Sequence, residues 1–171
     1  MKTITDFITP DFLEEIRQQN EALLYTNVWK TSLGWQQEIV APTGSVLIRE
    51  LTDDQKETVK SALMAHQIMD INAMYEFEAQ VYLWQRLSFI PWHNDKEEED
   101  TIRYAATLYM NEQWEDDWGG LFLYKDKIGI HAESPTYNKL VFNDQNFPHA
   151  TSMIASNAPL RQTLQLFWKK N

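Results

Sequence analysis

The sequence predicts a mainly β protein with flanking helices, built as a sandwich or jelly roll of short strands. Apolar and polar residues alternate along several segments after residue 75, whereas helical spacing is confined to two segments before residue 70. Aromatic residues make up 13% of the chain and include seven Trp, which suits a β-rich core. We therefore expect a single domain over 1–171, with a helical N-terminal part over about 1–70 and a jelly-roll core over about 75–171.

The two helical segments carry recognisable start signals. Thr9-Pro10-Asp11 predicts a helix start, because Thr can cap, Pro fits the first helical position and Asp suits the positive end of the helix dipole. Thr52 and Gln55 form a capping box that opens the second helix. His66 recurs at helical spacing with apolar residues of this helix, so we expect it to pack or face solvent and not to bind a ligand.

Strands are predicted by the period-two alternation. The longest runs over 75–86 and leads towards His93, and a second runs over 102–111. Trp118-Gly119-Gly120 predicts a turn, and His131 is expected in a solvent-exposed loop. Further short strands are expected around 46–48, 121–124, 138–143, 149–154 and 161–168.

Composition excludes several classes of partner and site. Fifteen basic and 25 acidic residues give a net charge of −10, which disfavours nucleic acid or an anionic membrane as partner. The absence of Cys excludes disulfides and thiolate metal sites. Residues 1–11 lack the apolar core of a signal peptide, and no apolar run reaches membrane-spanning length. We therefore expect a cytoplasmic protein, and the sequence does not predict its oligomeric state.

Candidate metal ligands come from two distant places in the sequence. His93 and Asp95 lie two residues apart at the end of a β-rich run, so they can offer an imidazole and a carboxylate to one ion. His149 lies on another predicted strand and would complete a ligand set of two histidines and one carboxylate. This set leaves open positions on the metal and is typical of non-haem Fe(II) oxygenases. We expect these three residues to bind the metal and to be catalytic, although each taken singly is more often structural.

Further motifs follow in order along the chain. Tyr109-Met110-Asn111 precedes Trp114 by three residues, Gly119-Gly120 follows, and Arg161 lies 12 residues after His149. Together with the metal motif, this order resembles the Fe(II)- and 2-oxoglutarate-dependent dioxygenases, in particular the prolyl 4-hydroxylase-like branch. The resemblance implies a double-stranded β-helix, which is a jelly roll, as a single dioxygenase domain. It also implies Fe(II), 2-oxoglutarate and O2, with ascorbate as a further candidate.

The resemblance also implies roles for individual residues. Arg161 occupies the position of the residue that pairs with the far carboxylate of 2-oxoglutarate, which a guanidinium can meet with two parallel hydrogen bonds. Tyr109 occupies the position of a hydrogen-bond donor to 2-oxoglutarate. Thr163 shares the face of Arg161 and is a candidate second donor. For Tyr82, lining of the co-substrate pocket and core packing stay open as alternatives.

Two residues are candidates for contact with the substrate. Arg103 shares the face of Tyr109 on its strand, and we expect it near the substrate. Trp84 falls near a position where relatives often carry Tyr, and it is the second candidate. The acidic stretches at 96–100 and 112–117 are expected near the mouth of the site, where they would repel an acidic substrate.

The activity implied by the resemblance is hydroxylation of an aliphatic C–H bond with release of succinate and CO2. Asp95 favours hydroxylation, because halogenating relatives carry Ala or Gly at this position. The expected substrate is an amino acid, a peptidyl residue such as proline, or a small molecule. One alternative is a non-catalytic jelly-roll module that binds a metal and a carboxylate. Another is a purely structural jelly roll in which the triad is a coincidence.

Overall fold

The computed structural model describes residues 1–31, 46–70, 72–95, 104–144 and 146–170. The strands in these ranges form two antiparallel sheets, and two α-helices pack on one of the sheets. No helix in these ranges is long and apolar enough to span a membrane. The elements are β1 Lys2–Ile4, α1 Pro10–Leu23, β2 Lys30–Thr31, β3 Val46–Glu50, α2 Asp53–Ala65, β4 Tyr75–Trp84, β5 Ile90–His93, β6 Tyr104–Tyr109, β7 Phe122–Lys125, β8 Ile130–Glu133, β9 Leu140–Phe142, β10 His149–Thr151 and β11 Arg161–Lys170.

The larger sheet has seven strands in the order β1-β9-β6-β11-β4-β3-β2, and the smaller has four in the order β5-β10-β7-β8. The outer face of the larger sheet carries the main core with both helices. That core is a continuous apolar cluster, including Leu13, Ile16, Val59, Leu63, Val81, Leu83, Leu108, Leu164 and Leu166. The inner face of the larger sheet lies against the smaller sheet. This arrangement is the predicted jelly roll with a helical layer on one side.

Both helices begin where the sequence predicts. Thr52 Oγ1 accepts from Gln55 N at 3.3 Å, and Gln55 Oε1 accepts from Thr52 N at 3.2 Å, so the predicted capping box is present. Pro10 is the first residue of α1, but the predicted cap is wrong in one respect, because the Thr9 side chain makes no capping hydrogen bond. His66 follows α2 and stacks on Phe7 with ring centroids 5.2 Å apart, which confirms it as a packing residue.

The strand alternation is confirmed along β4 and β11. Ala79, Val81 and Leu83 enter the main core, whereas Tyr82 and Trp84 face the inner side in a second apolar cluster. Antiparallel register brings the inner-face residues of adjacent strands side by side. The pairs are Arg161 with Trp84, Thr163 with Tyr82 and Tyr109, and Gln165 with Gln80 and Thr107.

One expectation about a loop is wrong. His131 lies within β8, which pairs with β7, and it is not in an exposed loop. Its ring stacks on Tyr124 with centroids 4.9 Å apart, and its Nε2 lies 3.0 Å from Asp126 Oδ1. Strands β1 and β2 were also not expected, so the N-terminal part contains strand as well as helix.

Candidate metal and carboxylate site

Three potential metal ligands lie together at the smaller sheet. His93 of β5 and His149 of β10 are opposite each other in the antiparallel pairing, and Asp95 follows the end of β5. The Asp95 carboxylate oxygens lie 3.8 Å from His93 Nε2 and 3.5 Å from His149 Nε2. The ligand atoms all lie within 4.8 Å of one another. Small side-chain movements would bring them to metal–ligand distances of about 2 Å, so the fold assembles the predicted set.

Backbone carbonyls orient both imidazoles. Pro91 O lies 2.8 Å from His93 Nδ1, and Phe147 O lies 3.1 Å from His149 Nδ1. An Nδ1–H that donates to a carbonyl leaves the Nε2 lone pair for a metal. Asn143 fixes the second carbonyl, because its Nδ2 donates to Phe147 O at 3.0 Å and its Oδ1 accepts from Phe147 N at 2.9 Å. Both histidines therefore present Nε2 to the centre of the cluster.

The surroundings of His93 favour its neutral form. Burial, followed by the neighbouring His149, lowers the pKa of His93, while the Pro91 carbonyl and the Asp95 carboxylate oppose that shift. The Phe122 ring stacks on His149 with centroids 5.2 Å apart. Since only a neutral imidazole can bind a metal ion, the lowered pKa favours metal binding by His93 at neutral pH.

A small cavity at the triad lies between the two sheets. Its lining includes the three ligands and Asn143. The other lining residues of the smaller sheet are Ile90, Phe122 and Thr151, and those of the larger sheet are Ala105, Ala106, Thr107, Val141, Gln165 and Phe167. Side chains of both sheets therefore surround the cluster of three potential metal ligands.

Arg161 is buried at the start of β11 and only 1% exposed. Its Cζ lies 5.1 Å from the centroid of the Tyr109 ring, a cation–π contact. Within the described ranges no carboxylate pairs with this guanidinium, and its Nε has no hydrogen-bond partner. A buried cation without a counter-ion carries a large desolvation cost. The position therefore favours an anionic ligand as the missing partner.

Tyr109 adds a second buried polar atom at the same place. The residue is 1% exposed, and its hydroxyl makes no hydrogen bond of normal geometry within the described ranges, although it lies close enough to the Arg161 guanidinium to interact with it electrostatically. Burial raises the pKa of Tyr109 and outweighs the opposing effect of the neighbouring Arg161, so the hydroxyl stays protonated at neutral pH and can donate. A carboxylate that accepts from Tyr109 and Arg161 together would satisfy both orphaned groups.

Thr163 lies between these groups and the metal-side residues in the strand register. It is fully buried and pairs with Tyr109 across β6 and β11. Gln165 Nε2 donates to Thr163 Oγ1 at 3.3 Å, while Thr107 Oγ1 donates to Gln165 Oε1 at 2.9 Å. Because Gln165 occupies the acceptor side of Thr163, the hydroxyl hydrogen of Thr163 remains available for a ligand.

The remaining predicted site residues have different positions. Tyr82 is buried, and its hydroxyl donates to Gln80 Oε1 at 3.2 Å. Trp84 is buried in the second apolar cluster beside Arg161 in the strand pairing. Tyr82 and Trp84 are not among the residues that line the cavity at the triad, and neither are Arg161, Tyr109 and Thr163. Arg103 lies outside the described residues. A co-substrate role for Tyr82 and substrate roles for Trp84 and Arg103 stay predictions.

Three residues at this site have no predicted role in the sequence. Gln165 shares the face of Arg161 by alternation, so that pattern contained a usable signal. Gly120 lies in a predicted turn, but its contact with the Arg161 side chain depends on tertiary structure. Asn143 bonds to the Phe147 carbonyl and contacts His149 Nδ1, and no spacing in the sequence indicates that it supports a metal ligand.

The chain matches no family sequence model and no curated protein sequence. Its fold, in contrast, matches solved structures. A Pseudomonas putida prolyl-4-hydroxylase is 18% identical with a TM-score of 0.75, over 99% of this chain and 92% of that one. A Trichoplax adhaerens prolyl hydroxylase, in complex with a hypoxia inducible factor oxygen degradation domain peptide fragment, is 18% identical with a TM-score of 0.77. That match covers 98% of this chain and 82% of the other.

A third match has a small molecule bound. HygX from Streptomyces hygroscopicus, with nickel, 2-oxoglutarate and hygromycin B bound, is 8% identical with a TM-score of 0.68. The match covers 98% of this chain and 81% of that one. The chain thus has the jelly-roll fold of the Fe(II)/2-oxoglutarate oxygenases and resembles their prolyl 4-hydroxylase-like branch.

Proposed function

We propose that this chain is an Fe(II)- and 2-oxoglutarate-dependent dioxygenase that hydroxylates an aliphatic C–H bond. The observation that carries the proposal is the coexistence of two incomplete sites in one jelly roll. His93, Asp95 and His149 form a ligand cluster, and Arg161 is a buried cation without a carboxylate partner in the described ranges. A metal-chelating dicarboxylate would complete both sites at once.

The proposed roles follow from the donor chemistry. His93, Asp95 and His149 would hold Fe(II) and leave open positions. Arg161 would bind the far carboxylate of 2-oxoglutarate, and Tyr109 and Thr163 would donate hydrogen bonds to the co-substrate. When bound, iron and 2-oxoglutarate supply an oxidant for C–H bonds from O2, with release of succinate and CO2. The side chains of both sheets would exclude water from the open side of the metal.

The proposed substrate is an amino acid, a peptidyl residue such as proline, or a small molecule. Two of the matched structures are prolyl hydroxylases, one of them with a peptide, and the third holds hygromycin B. Fold similarity alone does not select among these classes. Screening with pools of each class, read out as substrate-stimulated succinate formation, would select one.

The proposal is tested by titrating metal-free protein with Fe(II) under argon and then adding 2-oxoglutarate. We expect a weak visible charge-transfer band from the chelated complex. The band should vanish in His93→Ala and need far more 2-oxoglutarate in Arg161→Ala. His131→Ala is a matched control, because His131 lies in the same sheet but bonds to Asp126 instead of joining the cluster. A wild-type protein that binds Fe(II) but shows no band would contradict the proposal.

A second measurement separates the oxygenase from a non-catalytic module that binds a metal and a carboxylate. Both would give the band under argon, but only the oxygenase would form succinate when O2 is admitted. We expect oxygen-dependent succinate in the wild type and none in His93→Ala. Stable chelation without succinate, with every substrate pool present, would favour the binding module.

A further inference from the structure

The backbone around Arg161 lies where one neighbouring strand ends. On one side β11 pairs with β4 from its first residue, Arg161 with Trp84. On the other side the ladder to β6 begins only at Thr163, opposite Tyr109. One further backbone bond, from Met110 N to Gln162 O at 3.1 Å, extends this contact. The peptide groups on either side of Arg161 therefore need other partners on the β6 side.

The side chain of Asn111 supplies those partners. Its Oδ1 accepts from Gln162 N at 2.7 Å, and its Nδ2 donates to Leu160 O at 2.9 Å. One amide thus bonds to the peptide groups immediately before and after Arg161, as a continuing strand would. This pair of hydrogen bonds fixes the backbone from which the Arg161 side chain projects.

The turn at Gly119-Gly120 confines the side chain of Arg161. Gly120 has a φ of +64°, and a Cβ there would lie 3.0 Å from Arg161 Cδ and 3.2 Å from Arg161 Nε. Trp114 Nε1 donates to Gly119 O at 2.9 Å, which holds the turn in place. A Cβ at these distances would have to displace the Arg161 side chain by a few tenths of an ångström, and the positive φ would strain any residue other than Gly.

We propose that Asn111, Trp114 and Gly120 are positioning residues that aim the Arg161 guanidinium at the far carboxylate of the co-substrate. The inference rests on the proposed function and adds residues that would not touch the co-substrate. Two parallel hydrogen bonds to a carboxylate require a defined guanidinium orientation. These residues therefore govern selectivity for a 2-oxo acid with a second carboxylate, and not the affinity for 2-oxo acids in general.

The test compares two ligands on the Fe(II)-loaded protein under argon. The first is 2-oxoglutarate, and the second is 2-oxopentanoate, which keeps the chelating end but has a methyl group in place of the far carboxylate. For Asn111→Ala we expect the Kd of 2-oxoglutarate to rise about tenfold and that of 2-oxopentanoate to stay unchanged. Trp114→Phe, which removes only the indole N–H, should show the same selectivity loss in a smaller degree.

Matched controls separate positioning from loss of stability. Gly120→Ala should reduce the preference for 2-oxoglutarate, whereas Gly129→Ala, which meets nothing within 4 Å, should not. Thr52→Ala removes a helix cap on the opposite side of the larger sheet and should lower the melting temperature without changing either Kd. In an Arg161→Ala background, Asn111→Ala should have no further effect on 2-oxoglutarate binding.

Each contrary result has a distinct meaning. Equal weakening of both ligands would show that the three residues support the fold or the metal end, and would overturn the inference. Unchanged binding of both ligands would overturn it as well. A wild-type protein that does not prefer 2-oxoglutarate to 2-oxopentanoate would overturn the proposed role of Arg161, and the inference with it.

Discussion

The two ends of the proposed site differ in how completely the protein satisfies them. At the metal end, the Nδ1 of each imidazole lies within hydrogen-bond distance of a backbone carbonyl, Asn143 Nδ2 lies 3.3 Å from His149 Nδ1, and the His149 ring stacks on Phe122. At the carboxylate end, Arg161 Nε and the Tyr109 hydroxyl are buried without a hydrogen-bond partner in the described ranges. The metal end is therefore preorganised before any ligand arrives. The carboxylate end is fixed in position but electrostatically incomplete.

This difference indicates what each end contributes. Preorganised ligands lower the cost of binding a metal, because few side chains must be ordered on binding. A buried guanidinium, in contrast, lowers the stability of the ligand-free protein, but it gives a strong bond to an entering carboxylate, since the pair forms away from water. Function is thus placed at a site that stability alone would not favour.

Removing a metal ligand should have the largest effect. We expect His149→Ala to weaken Co(II) or Fe(II) binding more than about 100-fold, because a residue that binds the metal directly matters more than the residues that orient it. Isothermal titration under argon would measure the affinity. His66→Ala is the control, since His66 lies against Phe7, away from the cluster. Retained metal affinity in His149→Ala would show that the triad is not the metal site.

Replacing the buried cation should separate binding from stability. Arg161→Met keeps much of the side-chain volume and removes the charge. We expect the 2-oxoglutarate Kd to rise about 100-fold, because the entering carboxylate loses its counter-ion. The ligand-free protein should be as stable as the wild type, or more stable by about 1 kcal/mol.

Urea unfolding of the metal-free protein, with and without 2-oxoglutarate, would measure the stability effect of Arg161→Met. A loss of several kcal/mol in the ligand-free variant would contradict the comparison of the two ends. It would mean that Arg161 is already satisfied within the protein.

Removing a side chain that supports a metal ligand should have an intermediate effect. Asn143→Ala removes both hydrogen bonds to Phe147, which frees the carbonyl beside His149 Nδ1, and it also removes the 3.3 Å contact between Asn143 Nδ2 and His149 Nδ1. We expect the metal Kd to rise about tenfold with the 2-oxoglutarate selectivity of the loaded protein unchanged. Titration with Co(II) would measure the first quantity. An effect on selectivity without one on metal affinity would show that Asn143 acts elsewhere.

Much of this architecture follows from local sequence patterns. Alternation along 161–168 places Arg161, Thr163 and Gln165 on one face, and the Thr52 capping box places α2. These signals are readable because each depends on residues within a few positions of one another. The His93-Asn94-Asp95 motif is similarly local, so its two potential ligands were predictable as a pair.

The missed features depend on pairing or are too short. Strand β2 has two residues and β1 has three, too few to show alternation. In β8, Ile130 is 64% exposed while His131 is half-buried. The apolar residue therefore faces solvent and the polar one faces inward, which is the reverse of the usual strand pattern. Asn111 can bond to the backbone around Arg161 because the pairing of β6 with β11 stops at Tyr109 and Thr163 and does not reach Arg161. No local pattern in the sequence encodes this register.

A pH titration should give the smallest effect and tests whether the folded protein favours the neutral form of His93. Burial and His149 lower the pKa of His93, so the unfolded chain takes up a proton more readily than the folded one. The stability of the metal-free protein should therefore fall as pH drops below about 6.5, by at most about 1.4 kcal/mol per pH unit from this residue. Urea unfolding from pH 7.5 to 5 would measure the slope. His93→Ala should flatten it relative to His131→Ala, and an equal slope in both variants would place the proton uptake at other groups.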